Sequence, residues 1–226
     1  MNIIGEKLHK EYPLHSGNSD AQPDAVLCAV NQCDLVIEHG KITCISGVSG
    51  SGKTTLLEML ALLRKPTSGR LFFDQTDVLS LSEDEQAAWR NEKIGFVPQN
   101  SGLIPFLTAE ENIHLPLMIA GAVKSTDDRQ LIHRLGIRDC LHHLPGELSG
   151  GQKQRVALAR ALICQPEIFM ADEPTNHLDS ENVQLFLTLL AEWKAAGMTI
   201  VFTTHDPRLL QCADRIIRMD GGKIIP

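Results

Sequence analysis

Nine residues, Gly47 to Thr55 (Gly-Val-Ser-Gly-Ser-Gly-Lys-Thr-Thr), leave the chain few choices of fold. Gly47, Gly52, Lys53 and Thr54 keep the spacing G-x-x-x-x-G-K-[ST], a loop that wraps phosphate oxygens between a strand and a helix. The flanks agree, because Lys41 to Ser46 is β-branched and apolar and predicts a strand, while Thr54 to Leu63 is rich in leucine and predicts a helix. Glycine at 47, 50 and 52 lets backbone approach an anion closely, and the helix start adds free N–H groups and a positive dipole end. The candidate phosphate cradle is therefore Gly47, Ser49, Gly50, Ser51, Gly52, Lys53, Thr54 and Thr55. In it the amides of Gly50 to Thr55 face the phosphates of a nucleotide, Lys53 neutralises the outer two, and the Thr54 hydroxyl holds Mg²⁺.

At 226 residues and 43% hydrophobic, the chain suffices for one well-packed domain, alone or with a lobe attached, and not for two such cores. Its net charge is −7 and no run of Lys and Arg forms a phosphate-tracking stripe, which argues against direct binding of nucleic acid. The six cysteines, at 28, 33, 44, 140, 164 and 212, include no C-x-x-C pair and read as mostly buried thiols in a reducing compartment. A Cys28/Cys33 metal pair lacks a matching second pair. The N-terminus lacks the build of a signal peptide, and no apolar run approaches the ~20 residues of a membrane helix. The expectation is a cytoplasmic protein that reaches a membrane only through a partner.

Ile3 to His9 predicts a first strand, with Tyr12 following it just ahead of a polar loop from Pro13 to Asp24. Ala25 to Ile37 predicts one or two strands before a turn at His39-Gly40, so the chain starts with a small β layer. Tyr12, the only tyrosine, reads either as half-buried packing or as a flat ring for an adenine base. After the loop helix come a turn at Pro66-Thr67-Ser68-Gly69, a short strand Arg70 to Asp74, a helix around Ser82 to Asn91, and a strand Ile94 to Val97 ending at Pro98-Gln99. Gln99 is either an exposed loop amide or a Mg²⁺ ligand that senses a γ-phosphate. From Leu107 to about His143 the period is helical, broken by Pro116, Gly121 and Gly136. This predicts a helical lobe, roughly residues 100–160, inserted in the nucleotide core.

Leu148 to Arg155 (Leu-Ser-Gly-Gly-Gln-Lys-Gln-Arg) opens a helix running through Ala161, with Ser149 as its N-cap. Ser149, Gly150, Gly151 and Gln152 form a second anion site on the same principle as the first, and one chain rarely uses both on one nucleotide. The neighbouring His142 and His143 face different ways on a helix and read as a solvated pair. Glu167 to Ala171 is a short apolar strand that delivers Asp172 and Glu173 at its carboxyl end, where ligands of parallel sheets bind. That pair suits a Mg²⁺–phosphate cluster, Asp172 on the metal's water shell and Glu173 aimed at an attacking water, with a salt bridge to an arginine as the plainer reading. Ser180 to Ala196 predicts a helix stopped by Gly197, and Met198 to Thr203 a buried strand leading to His205. His205 is either a satisfied loop residue or a donor to a γ-phosphate. Ile216 to Met219 and Lys223 to Ile225 close the chain as a hairpin.

With these segments in this order, the chain resembles an ABC-type ATPase subunit along essentially its whole length, and Leu148 to Gln152 matches that family's signature motif. The resemblance implies an α/β fold: a P-loop NTPase core of mostly parallel sheet flanked by helices, a small N-terminal antiparallel β layer and an inserted helical lobe, as one domain over residues 1–226. It implies ATP and Mg²⁺ as cofactors and two cassettes meeting head to tail, with ATP between Gly47 to Thr55 of one and Ser149 to Gln152 of the other. It further implies Tyr12 as the adenine-stacking aromatic, Gln99 as the metal and γ-phosphate sensor, Glu173 as the catalytic carboxylate, His205 as the switch histidine and Asp179 as a residue reaching across the dimer. Leu81-Ser-Glu-Asp-Glu, Ile94-Gly-Phe-Val, Leu107-Thr-Ala-Glu-Glu-Asn-Ile and Thr204-His-Asp-Pro look most like the ATPases of lipoprotein-release, macrolide-efflux and cell-division complexes. Two stretches depart from that pattern: the loop Pro13 to Asp24 is longer, and Asn176-His177-Leu178-Asp179 is closer to translation-associated ABC proteins, which carry two cassettes per chain.

The reading these features favour is an energy-coupling subunit that dimerises on ATP and drives an integral membrane permease docked on the helical lobe, in export, extraction or mechanical signalling. A soluble ABC ATPase acting on ribosomes or DNA would need a second cassette or a long coiled-coil insert, and about 95 residues between Lys53 and Ser149 leave no room for the latter. A regulatory, non-transporting ABC module would use the same sites.

Overall fold

Two kinds of β segment organise the chain: strands that alternate between inside and outside, and runs that are apolar throughout. The computed structural model describes residues 1–13, 26–121, 126–176 and 178–226. Its elements in chain order are strands β1 (Ile3–Pro13), β2 (Val26–Ile37) and β3 (Ile42–Gly47), helix α1 (Lys53–Leu60), strands β4 (Ser68–Phe73) and β5 (Thr76–Asp77), helix α2 (Glu83–Lys93) and strand β6 (Ile94–Val97). There follow helices α3 (Ala109–Ile119), α4 (Thr126–Arg134) and α5 (Gly150–Leu162), strand β7 (Ile168–Asp172), helix α6 (Ser180–Ala195), strand β8 (Thr199–Thr203), helix α7 (Pro207–Cys212) and strands β9 (Arg215–Asp220) and β10 (Lys223–Ile225).

The alternating strands form a four-stranded antiparallel sheet in the order β2-β1-β4-β5. The apolar runs form the middle of a six-stranded sheet in the order β10-β9-β3-β8-β7-β6, parallel except for β10, with alternating β9 and short β10 at one edge. Burial on both faces explains the unbroken hydrophobic runs of β7 and β8. Successive side chains of β7 point opposite ways: Phe169 and Ala171 join the core under α5 and α6, while Ile168 and Met170 join the core beneath α1 and the antiparallel sheet. Phe169, Phe186 and Trp193 pack together in the first of these cores, with ring centroids 5.1–6.5 Å apart, Phe186 and Trp193 edge to face and Phe169 tilted against both. Among the described residues no helix is long and apolar enough to cross a membrane.

Several boundaries differ from expectation. Tyr12 lies inside β1, paired with Leu27, because β1 runs to Pro13 against a single continuous β2. Helix α1 stops at Leu60, and Leu62 takes a left-handed backbone (φ 57°) that turns the chain back. Ser68 and Gly69 begin β4 instead of completing a turn. Pro116 sits within α3 without breaking it; the helix loses one backbone bond there but is fixed at its start by a Thr108–Glu111 capping box and by buried Asn112, which holds the carbonyls of Ile104, Leu107 and Thr108. Strand β5 and helix α7 were not anticipated. From residue 14 onward the expected loop to Asp24 lies outside the described residues, as does His177.

Candidate functional site

The parallel order β3-β8-β7-β6 brings the carboxyl ends of four strands to one edge, so the segments that follow them meet there: the loop after β3, His205 after β8, Glu173 after β7 and Gln99 after β6. Two glycines of the loop are required by space. A Cβ on Gly47 would lie 2.2 Å from Met219 O, and one on Gly52 would lie 2.1 Å from Ala29 O, so the loop is seated between β9 and β2 with no room for side chains. Lys53 Nζ donates to the loop carbonyls of Gly47 (2.9 Å) and Val48 (3.0 Å). Ser51 Oγ is buried without a hydrogen-bond partner, a polar atom inside the loop that a phosphate oxygen would satisfy.

Asp172 ties this loop to the neighbouring strands. Its Oδ2 accepts from the Thr54 hydroxyl at 2.9 Å, and its Oδ1 accepts from the Thr203 hydroxyl at 2.5 Å. Thr203 is fully buried opposite Asp172 in the β7–β8 register, and its hydroxyl also accepts from Glu173 N at 2.9 Å. Glu173 takes a left-handed backbone (φ 47°), which turns its side chain out of the strand's alternation. The carboxylate is 11% exposed and meets His205, 72% exposed: Nδ1 lies 3.1 Å from Oε1 and 3.0 Å from Oε2, with Oε2 making no hydrogen bond of its own. The structure therefore brings together Lys53, Thr54, Asp172, Glu173 and His205. Gln99 occupies the exposed turn after β6, alongside the end of β7 through the Val97–Ala171 pairing.

The second predicted cradle is a helix start on the helical lobe. Ser149 caps α5 in a closed capping box, its hydroxyl accepting from Gln152 N (3.2 Å) while Gln152 Oε1 accepts from Ser149 N (2.8 Å). Asp179 caps α6, and its carboxyl is held below the usual aspartate range chiefly by the N–H of Asn182 at 2.8 Å. The Asn182 side chain donates to both oxygens of Asp179 (2.9 Å each) and accepts from Arg155 of α5. On the other side of α5, Arg160 donates to the carbonyls of Gly102 (2.7 Å) and Ser101 (2.9 Å), just beyond Gln99. Helix α5 is thus fastened to the segments carrying both Gln99 and Asp179. The Tyr12 ring has Lys10 Nζ and the Arg64 guanidinium each 5.4 Å from its centroid, so cations of β1 and of the segment after α1 flank it.

Thr203 and Asn182 were missed by sequence reasoning. A threonine at the carboxyl end of a buried strand was the only available signal for the first. The second stands at the third position of a helix behind an aspartate cap, where its partner on another helix is invisible in sequence.

A family model described as ABC transporter matches residues 30–176. The chain belongs to the ABC transporter family. It is 46% identical over 201 residues to the macrolide export ATP-binding/permease protein MacB of Syntrophobacter fumaroxidans, covering 85% of this chain and 28% of that protein. It is 40% identical over 200 residues to the uncharacterized ABC transporter ATP-binding protein YknY of Bacillus subtilis, covering 87% of each. The chain spans about a third of the length of the MacB relatives it matches. Among solved ABC cassettes, the dimeric post-hydrolysis state of the ATP-binding cassette MJ0796 bound to ADP and Pi is similar over 99% of this chain and 97% of that one, with a TM-score of 0.90 at 34% identity. The fold is that of these cassettes.

Proposed function

We propose that this ABC cassette binds ATP with Mg²⁺, hydrolyses it as a head-to-tail pair with a second copy, and drives an integral membrane permease seated on its helical lobe at the cytoplasmic face. Residues 1–226 are read as one such ATPase domain. The observation that carries this is the run of hydrogen bonds from Thr54 through Asp172 and Thr203 to Glu173 and His205, which sets metal-type oxygens beside a separately held carboxylate. The residues fit the nucleotide: the backbone packed close at Gly47 and Gly52, orphaned Ser51 Oγ and the Lys53 ammonium on loop carbonyls make a polar cradle with no carboxylate partner among the described residues.

In this reading the amides of Gly50 to Thr55 and Lys53 hold phosphates, and Thr54, Asp172 and Gln99 hold Mg²⁺. Bound Mg-ATP supplies the phosphoanhydride whose terminal phosphoryl group passes to water. Glu173 orients that water and takes its proton on its carboxylate, while His205, with Nδ1 3.0–3.1 Å from both oxygens, keeps the carboxylate in place. Tyr12 offers its ring to the base. Ser149 to Gln152, with Asp179, face the partner's nucleotide. Dimeric MJ0796 and the MacB relatives, named for ATP binding and export, support the pairing and the permease.

Phosphate release from Mg-ATP tests the reading. Lys53→Ala removes the principal side-chain cation of the cradle and is expected to abolish nucleotide binding or turnover. Near-normal affinity and hydrolysis in that variant would place the chemistry elsewhere.

A further inference from the structure

His9, Glu11 and Cys28 form a cluster of metal-ligating side chains that the nucleotide site does not use. His9 and Glu11 are two residues apart on β1, and Glu11 stands directly across from Cys28 of β2. The imidazole lies between the other two groups, its Nε2 2.9 Å from Glu11 Oε1 and its Nδ1 3.9 Å from Cys28 Sγ. One ligand atom from each residue lies within 4.8 Å of the other two. Donors sharing a four-coordinate cation at bond lengths of about 2.0–2.3 Å stand roughly 3.3–3.8 Å apart. His9 meets Glu11 and Cys28 through different ring nitrogens, so a cation would take Nδ1 beside Cys28 and draw the Glu11 carboxylate round from Nε2 to close the set.

The alternative is a surface His–Glu pair beside an unrelated thiol. Against it stand the burial and the direction of the groups. The His9 side chain is only 17% exposed, Cys28 is half-buried, and the thiol is directed at the imidazole as well as at the Val30 carbonyl, 3.5 Å away. Glu11, at 39% exposed, lies at the open side, where water can complete the coordination.

We propose that His9, Glu11 and Cys28 bind one divalent cation of the zinc type, with imidazole, carboxylate and thiolate as three ligands and water as the fourth. The thiolate and imidazole select a borderline-soft ion over Mg²⁺, which separates this site chemically from the oxygen donors Thr54 and Asp172. Binding releases the Cys28 proton and pins β1 to β2 next to Tyr12. An ordered Tyr12 is the consequence for the rest of the molecule.

The test is titration of the nucleotide-free protein with Co²⁺, read by absorbance. A sulfur-to-cobalt charge-transfer band with four-coordinate visible bands should saturate at one equivalent and be displaced by Zn²⁺. Cys28→Ser should remove the charge-transfer band while Cys33→Ser leaves it, and His9→Ala and Glu11→Gln should each weaken binding by at least about tenfold. Circular dichroism of each variant checks that it is folded. Absence of the band in the wild type, its persistence in Cys28→Ser, or wild-type affinity in both His9→Ala and Glu11→Gln would overturn the proposal.

Discussion

Asp172 and Glu173 are adjacent in sequence and stand in opposite surroundings. Asp172 is buried with both oxygens engaged, one by Thr54 and one by Thr203, so it is a fixed acceptor. Glu173 keeps one oxygen without a hydrogen bond and faces a histidine that is mostly in solvent. The first geometry suits holding a cation and the second suits taking a proton. Glutamine at 173 preserves volume and hydrogen bonding but cannot accept the proton, a loss commonly worth about 10²- to 10⁴-fold in rate. Glu173→Gln should therefore retain ATP affinity and lose turnover, whereas Asp172→Asn should weaken Mg²⁺-dependent binding. Measured side by side, hydrolysis within about threefold of wild type in Glu173→Gln would remove Glu173 from the central step.

At the scale of elements, helix starts and strand ends carry the site, and two links between them can be broken singly. Asn182 joins the cap of α6 to Arg155 of α5, whose Nε is already buried without a partner. Asn182→Ala removes the side-chain half of that link, a loss of about 1 kcal/mol in unfolding free energy, and should lower kcat at nearly unchanged affinity of the monomer for ATP. A fall in monomer affinity with unchanged kcat would contradict this. Asp214 anchors the start of β3: burial raises its pKa, but the Ile42 N–H at 2.9 Å and the Lys194 ammonium at 2.6 Å outweigh that and hold it below the ordinary aspartate value. A depressed carboxyl stabilises the fold above its unfolded pKa and loses that contribution as pH falls through the folded pKa. Denaturant unfolding of Asp214→Asn should thus show a deficit of about 1–2 kcal/mol at pH 7 that shrinks on acidification below the ordinary aspartate pKa. A deficit independent of pH would assign the effect to packing.

These same elements mark what was legible in sequence. The phosphate loop, the Ser149 cap, the strand before Asp172 and the stop at Gly197 are short-range features, written in glycines, caps and apolar runs, and the structure has them at those positions. Tyr12 within a strand and Pro116 within a helix depend on cross-strand pairing and on a buried asparagine, which local propensity does not contain. Thr203 and Asn182 act through residues about 30 positions away and through a second helix, so only the assembled sheet and lobe reveal them.

For the whole molecule, the decisive feature is that one chain presents two glycine-containing helix starts, Gly47 to Thr55 at the carboxyl end of the parallel sheet and Ser149 to Gln152 at the start of α5, which the proposed function reads as two phosphate cradles. Two copies joined head to tail would place both cradles on each nucleotide, and the loss of negative charge in Glu173→Gln favours that closed pair. Sedimentation velocity of Glu173→Gln with and without ATP tests this directly. The account predicts a monomer without nucleotide and a dimer with ATP that persists while phosphate release stays near background. A monomer at every ATP concentration, with the nucleotide shown to be bound, would contradict it.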